Sequence, residues 1–434
     1  MKKKKISKAK TAYSIESRLI HGLAKTSFWE YDHHINPPLT TSATYRLESA
    51  KRGARGFANY QKLNSARQPI LFYGRMAEPN NMMLAEQLAI AERGAAGVIF
   101  SSGMAAVQAA TLLNCQSGDE IVSHQAIYGC SYSLFSKYYK KLGIKTHFTD
   151  LAEVKNLACL INQKTRLVYV ESLTNPNLTL IDIAALAKYL AKENSKRTIT
   201  KKILLAVDNT FPTPISCRPL EHGADLVIHS LTKAIGGFGC DIGGAVITNN
   251  QKTAEQLIEI RKDFGSVLAP SAAWHILTYG IPTLKLRFKK QSENALEVAR
   301  FLERHPKIDQ VIYPGLKSYP FASLARRQLT DENGDFVAGN MVYFIIKGSS
   351  AKLSQKLGEH LINIIAKEAY VITLAVSLGL TKTLIEHPSS MTHSAYKAED
   401  QIKFGINPGG IRLSIGIESA RDIIADLERA LKKI

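Results

Sequence analysis

Ala224-Asp225-Leu226-Val227-Ile228-His229-Ser230-Leu231-Thr232-Lys233 runs directly into the glycine-rich segment Ala234-Ile235-Gly236-Gly237-Phe238-Gly239-Cys240-Asp241-Ile242-Gly243-Gly244. The first half reads as a short apolar strand that delivers two hydroxyls and one amine to its C-terminal end. The glycines behind it let the backbone turn tightly around a bound group. An amine held in a partly dry pocket gives up its proton more readily and becomes a nucleophile toward carbonyls. Ser230 and Thr232 are placed to bond an anion beside it. Most lysines are solvated surface charges, so the rest of such a site must come from elsewhere in the chain.

Upstream, Ile203-Leu204-Leu205-Ala206-Val207-Asp208-Asn209-Thr210 ends another apolar run with a carboxylate. Asp208 precedes Lys233 by 25 residues, room for one short crossover and the next strand. Neighbouring parallel strands would then set both residues at one sheet edge, where ligands of open α/β sheets bind. Pyridoxal phosphate, with a pyridinium nitrogen at one end and an aldehyde near the other, requires that pair. The carboxylate keeps the ring nitrogen protonated, so the ring accepts electrons. Alone, Asp208 reads as a helix cap or turn residue.

Val98-Ile99-Phe100-Ser101-Ser102-Gly103-Met104-Ala105-Ala106 predicts a strand, a tight turn and the start of a helix, a natural anion site. Tyr128 follows the strand that begins near Glu120; it reads as a core tyrosine or as a ring that stacks on a cofactor while its hydroxyl moves a proton. Asn175, in Glu171-Ser172-Leu173-Thr174-Asn175-Pro176-Asn177, is a candidate donor to a ring hydroxyl or a substrate carboxylate. Arg412 sits in the apolar strand Gly410-Ile411-Arg412-Leu413-Ser414-Ile415-Gly416. A charge there needs a partner: an amino-acid carboxylate held in two-point fashion, or an internal salt bridge.

Around these segments, short apolar runs alternate with helical stretches between about 80 and 260: Gly97 to Ser101, Glu120 to Ser123, Leu167 to Glu171, Ile203 to Asp208, Asp225 to Ser230 and Gly244 to Thr248, with a helix over Met82 to Ala95. That alternation predicts an α/β protein with a mostly parallel sheet covered on both faces. Residues 1–70 read as an N-terminal extended arm, 71–265 as a large domain, and 266–434 as a smaller α+β C-terminal domain. Hydrophobic residues at 45% and charged residues at 21% of the 434 are ordinary for a soluble globular chain. The formal charge of +19 is scattered over separate clusters without a recognised nucleic-acid-binding module, so a basic surface is expected and no nucleic-acid partner. No apolar run is long enough to span a membrane, and Met1-Lys2-Lys3-Lys4-Lys5 lacks the apolar core of a secretion signal; the cytoplasm is the expected location. Five cysteines (Cys115, Cys130, Cys159, Cys217, Cys240), and histidines such as His33-His34, lack metal-ligand spacing, and no metal is expected.

Taken together, the segments resemble the Cys/Met-metabolism (trans-sulfuration) family of pyridoxal phosphate enzymes, from Pro37-Pro38-Leu39-Thr40-Thr41-Ser42-Ala43-Thr44 to the C-terminus. The resemblance implies the aspartate-aminotransferase-like, PLP-dependent transferase fold and pyridoxal 5'-phosphate as cofactor. It implies that Lys233 holds the cofactor covalently and shuttles protons, Asp208 pairs the pyridine nitrogen, and Tyr128 stacks on the ring. Gly103, Met104, Ser230 and Thr232 would hold the phosphate, completed by Tyr73 and Arg75 of a neighbouring subunit; a homodimer or homotetramer follows. Arg412, Ser377 and Asn175 would bind the carboxylate of a small sulfur amino acid.

Departures from the family pattern fall at Gly74, Glu78 and Asn80, and at Phe238, where a histidine is common. Cys130, Lys262-Asp263 and Ala375-Val376-Ser377-Leu378-Gly379 resemble methionine γ-lyase, with Cys130 expected at the substrate, although it also reads as a small buried residue. Val376 stands where relatives that handle cystathionine carry a glutamate, and an apolar residue suits a methyl thioether better than an unpaired ammonium. Leu380-Thr381-Lys382 matches neither branch. The expected activity is a carbon–sulfur lyase of the methionine γ-lyase type, with cystathionine γ-synthase, cystathionine β- or γ-lyase and O-acylhomoserine sulfhydrylase as alternatives. More distant alternatives are an aminotransferase on the same cofactor and a non-catalytic basic binding protein on the same fold.

Overall fold

The computed structural model describes residues 13–22, 34–62, 70–394 and 396–434; the lysine run at 2–5 and His33 lie outside them. Among the described residues twelve strands form two sheets. The first holds β1 (Ala96–Phe100), β2 (Glu120–His124), β3 (Lys145–Thr149), β4 (Thr165–Glu171), β5 (Leu204–Asp208), β6 (Leu226–Ser230) and β7 (Gly244–Thr248), in the order β1-β7-β6-β5-β4-β2-β3. Only β7 runs against the others. The second sheet, β8 (Ile308–Ile312), β9 (Met341–Ile346), β10 (Thr373–Leu374), β11 (Leu384–Glu386) and β12 (Gly410–Ser414), takes the order β10-β11-β12-β9-β8. Its pairs are antiparallel except β10 with β11.

Strand alternation explains how the large sheet is covered on both sides. Val98, Phe100, Ile121, Tyr169, Ala206, Ile228 and Val246 pack into one core with the helix Gly103–Leu112. Their neighbours Val168, Val170, Leu205 and Val207 enter a second core with the helix Ile183–Asn194. The same parity carries Glu171, Asp208 and Ser230 to the Gly103 side at the C-terminal ends of β4, β5 and β6, while His229 turns to the other side and meets buried Glu92.

Most expected strands stand on their apolar runs with ends moved by a residue or two. β3 was not expected, because Lys145-Thr146-His147-Phe148-Thr149 carries one apolar residue. As an edge strand it pairs only with β2 and keeps its side chains partly in water. The helix expected over Met82 to Ala95 instead spans Pro79–Ala91: Glu78 caps it by accepting from the Asn80 and Asn81 N–H groups, with Pro79 in the first turn. The described part of residues 1–70 contains two helices, Ile15–His21 and Ala50–Asn59. The first buries Ile15 and Leu19 against Leu84 and Leu88, and Glu16 pairs with Lys285 at 2.5 Å. Among the described residues no helix is long and apolar enough to cross a membrane.

Candidate active site

A cleft of about 310 Å³ opens at the C-terminal ends of β4, β5 and β6, closed on its far side by the second sheet. Ten of the residues expected at the site line it: Lys233, Asp208, Tyr128, Gly103, Met104, Ser230, Thr232, Arg412, Ser377 and Asn175. On one wall the helix Gly103–Leu112 begins. Ser102 accepts from the Ala105 N–H, so the Gly103 and Met104 N–H groups are left for a ligand. A Cβ on Gly103 would stand 2.8 Å from the Ser230 Cβ, so only glycine lets the helix start this close to β6. Thr210 stitches the neighbouring strand ends together: its hydroxyl accepts from Ser230 N–H at 2.9 Å, and its own N–H donates to Asp208 Oδ1 at 3.0 Å.

The charged groups are held in dry surroundings. The Lys233 amine donates to the Ser377 hydroxyl at 2.8 Å. Burial, reinforced by the nearby Arg412 charge, lowers its pKa from 10.5 to about 8. Burial pushes the Asp208 carboxyl up, against the Thr210 hydrogen bonds that favour its ionised form. Burial also raises the Tyr128 phenol, with the Cys130 thiol beside it adding to the shift. Glu171 lies on the same face. Its Oε1 accepts from Tyr128 N–H at 2.7 Å and its Oε2 from Asn175 N–H at 2.8 Å, so one carboxyl ties both residues to β4. Burial and the neighbouring Asp208 raise it to about 8.

Arg412 was left open between a substrate carboxylate and an internal partner, and here it has an internal one. Its Nη2 lies 2.9 Å from Glu386 Oε1, and both side chains are buried. β11 and β12 set Glu386 directly opposite Arg412. Arg412 also donates to Asn175 Oδ1 at 2.7 Å and to the Ser377 carbonyl at 3.1 Å. Three expected residues do not line this cleft. Cys130 is exposed, two residues beyond Tyr128, with its thiol beside the Tyr128 hydroxyl. Tyr73 and Arg75 line a separate concavity with Thr41 to Ala43 and Val267 to Pro270. There Arg75 donates to the Lys262 carbonyl at 2.6 Å and lies 5.3 Å from the Tyr73 ring. Lys262-Asp263 belongs to that region, whereas Val376 lines the cleft. Two of the departures acquire a reason: Glu78 is a helix cap, and both it and Asn80 accept from the Thr40 hydroxyl. Sequence reasoning missed Thr210, Glu171, Glu386, Thr392 and His393. The one available signal was Arg412, whose need for a partner pointed to an unlocated acid.

A desolvated lysine, a buried carboxylate and a helix start with two hydroxyls, gathered at the strand ends of a mostly parallel sheet, define a class of enzyme that works through pyridoxal phosphate. Comparison with known proteins agrees. The family model for Cys/Met metabolism PLP-dependent enzymes matches residues 17–432. An L-methionine gamma-lyase of Fusobacterium nucleatum subsp. polymorphum is 38% identical over 399 residues, covering 92% of this chain and 93% of the relative. A cystathionine beta-lyase of Coxiella burnetii is 36% identical over 420 residues, covering 96% and 97%. A solved structure from Campylobacter jejuni that holds N'-pyridoxyl-lysine-5'-monophosphate superposes with a TM-score of 0.85 at 31% identity, covering 97% of this chain and all of that one. The chain belongs to the Cys/Met metabolism family of PLP-dependent enzymes, with the fold of its trans-sulfuration members.

Proposed function

We propose that this enzyme is a carbon–sulfur lyase of the methionine γ-lyase type, converting L-methionine and water to methanethiol, 2-oxobutanoate and ammonia. The observation that carries this reading is the apolar end of the cleft. Val376 and Ile242 line it, both substantially exposed to the open space, where a cystathionine substrate would need a partner for its second ammonium. The residues fit the cofactor. Gly103 and Met104 N–H groups with the Ser230 and Thr232 hydroxyls would hold its phosphate, Asp208 its ring nitrogen, Tyr128 its face and Lys233 its aldehyde carbon. Tyr73 and Arg75, outside this cleft and partly exposed, suit completion of the phosphate site in a neighbouring subunit, in a homodimer or homotetramer.

When bound, pyridoxal phosphate supplies the electron sink that makes the substrate's Cα and Cβ protons acidic. Arg412, Asn175 and the Ser377 backbone would orient the α-carboxylate. Lys233, about half neutral near pH 8, would take the proton from Cα, give it up again, and so be free to take a second from Cβ as the γ-carbon–sulfur bond breaks. Tyr128, with its phenol pushed up by burial, keeps a proton to give to the departing thiolate.

The test is product analysis of purified enzyme with methionine, with cystathionine, and with O-acetylhomoserine plus sulfide. Methanethiol and 2-oxobutanoate from methionine support the proposal, and their absence defeats it. Homocysteine from O-acetylhomoserine and sulfide would assign the γ-replacement branch; pyruvate from cystathionine would assign a β-lyase.

A further inference from the structure

Five residues close a ring in the cleft wall, four through side chains alone and Asn175 through its side chain and its main-chain carbonyl. Arg412 Nη2 lies 2.9 Å from Glu386 Oε1, which accepts from the Thr392 hydroxyl at 2.8 Å. Thr392 Oγ1 lies 3.0 Å from His393 Nδ1, and His393 Nε2 lies 3.0 Å from the Asn175 carbonyl oxygen. Asn175 Oδ1 accepts from Arg412 Nη1 at 2.7 Å and returns the ring to its start. All but Thr392 are at most 5% exposed, so water is a poor substitute for any member.

The proton inventory assigns each role. A carbonyl oxygen only accepts, so His393 carries its proton on Nε2. Burial, with the Arg412 charge, lowers the His393 pKa to about 3, which leaves the imidazole neutral and Nδ1 a bare acceptor. Thr392 therefore has one proton for two acceptors, Glu386 Oε1 and His393 Nδ1, and donates to one of them at a time. Arg412 is meanwhile held from two sides, by Glu386 and by Asn175, and also donates to the Ser377 carbonyl. A guanidinium has five N–H donors, so some remain for a ligand.

We propose that Glu386, Thr392 and His393 are positioning residues for the substrate carboxylate, holding the Arg412 guanidinium in the one orientation that presents its remaining N–H groups to the cleft. This rests on the reading of Arg412 as the carboxylate grip. Glu386 also offsets the Arg412 charge, so a bound carboxylate is selected by geometry and hydrogen bonding rather than by bare charge.

The experiment titrates holoenzyme with L-norleucine, which has no γ-leaving group, and with n-pentylamine, the same chain without its carboxylate. Binding is read from the change in cofactor absorbance, and folding from thermal unfolding of each variant. Thr392→Val should weaken L-norleucine roughly tenfold, the effect of one buried polar group left unpaired, and n-pentylamine by less than about twofold. Thr392→Ser should restore the wild-type ratio. His393→Asn, too short to reach the Asn175 carbonyl, should act like Thr392→Val and serves if that variant does not fold. Equal effects on both ligands, no effect on either, or failure of Thr392→Ser to restore the ratio would overturn the proposal. Arg412→Lys separates the two levels. If it leaves the preference for L-norleucine intact, Arg412 is not the carboxylate grip. If it removes that preference while Thr392→Val and His393→Asn retain it, the ring alone is wrong.

Discussion

Lys233 and Ser377 stand 144 residues apart in the chain, and the Lys233 amine donates to the Ser377 hydroxyl at 2.8 Å. The contact joins the loop after β6 of the large sheet to the segment between β10 and β11 of the small one. It therefore places the Lys233 amine where the two sheets meet, against the residue that also presents its carbonyl to Arg412.

The lowered Lys233 pKa has a direct kinetic consequence. The neutral amine is the nucleophile, and a pKa of about 8 rather than 10.5 leaves roughly a tenth of it neutral at pH 7. The rate at which apoenzyme captures pyridoxal phosphate should rise with pH and level off above about 8. Absorbance-monitored reconstitution between pH 6 and 10 checks this; a rate still climbing steeply at pH 9.5 would show an ordinary amine. Lys233→Ala should abolish the covalently held cofactor band altogether.

Ser377 holds φ at +87°, a left-handed conformation that L side chains rarely adopt. Ser377→Gly and Ser377→Ala both delete the hydroxyl, but only glycine relaxes the backbone. The glycine variant should be the more stable of the two by about 1 kcal/mol, while both lose activity. Thermal unfolding beside kcat/KM separates strain from chemistry; equal stability of the pair would show that the backbone is not strained.

Gly103→Ala tests the anion cradle without deleting a polar group, although the new methyl also comes within 3.0 Å of the Ser230 hydroxyl. The new methyl would meet Ser230 Cβ at 2.8 Å and push the helix start away from β6. Overpacking of that kind costs about 1–3 kcal/mol, so cofactor affinity should fall by roughly 5-fold to at most 150-fold. Equilibrium binding of pyridoxal phosphate to apoenzyme measures it, and an unchanged affinity would remove Gly103 and Met104 from the phosphate site.

Tyr73 and Arg75 stand apart from the cleft of their own chain, which allows complementation between subunits. Lys233→Ala and Arg75→Ala enzymes should each be nearly inactive. Mixed, unfolded and refolded together in equal amounts, they should recover roughly a quarter of the wild-type activity, because half of random dimers are mixed and each has one intact site. No recovery would place Arg75 in a role within its own subunit.

The pairing of Asp208 with Lys233 was legible because a single crossover separates consecutive strands, and parallel β5 and β6 then bring their ends together. Gly103 was legible for a similar local reason, a strand, a tight turn and a helix within nine residues. β3 was not, since an edge strand half in water loses the apolar run that marks its buried neighbours. Nor could periodicity say whether Tyr128 was core or site, because a buried phenol serves both.

Local order along the chain, then, was enough to read the alternating strands and helices and to bring Lys233, Asp208 and the Gly103 helix start to one cleft. Each depends on residues about 25 positions apart or fewer, where strand alternation and turn chemistry act directly. The tertiary structure decided the partners of Arg412, the separation of Tyr73 and Arg75 from the cleft, and the ring through Thr392 and His393. His393 reaches Asn175 across 218 residues and Arg412 reaches it across 237, through the junction of two sheets. A carboxylate such as Glu386 reads the same in sequence whether solvated or buried; only the pairing of β11 with β12 sets it against a guanidinium.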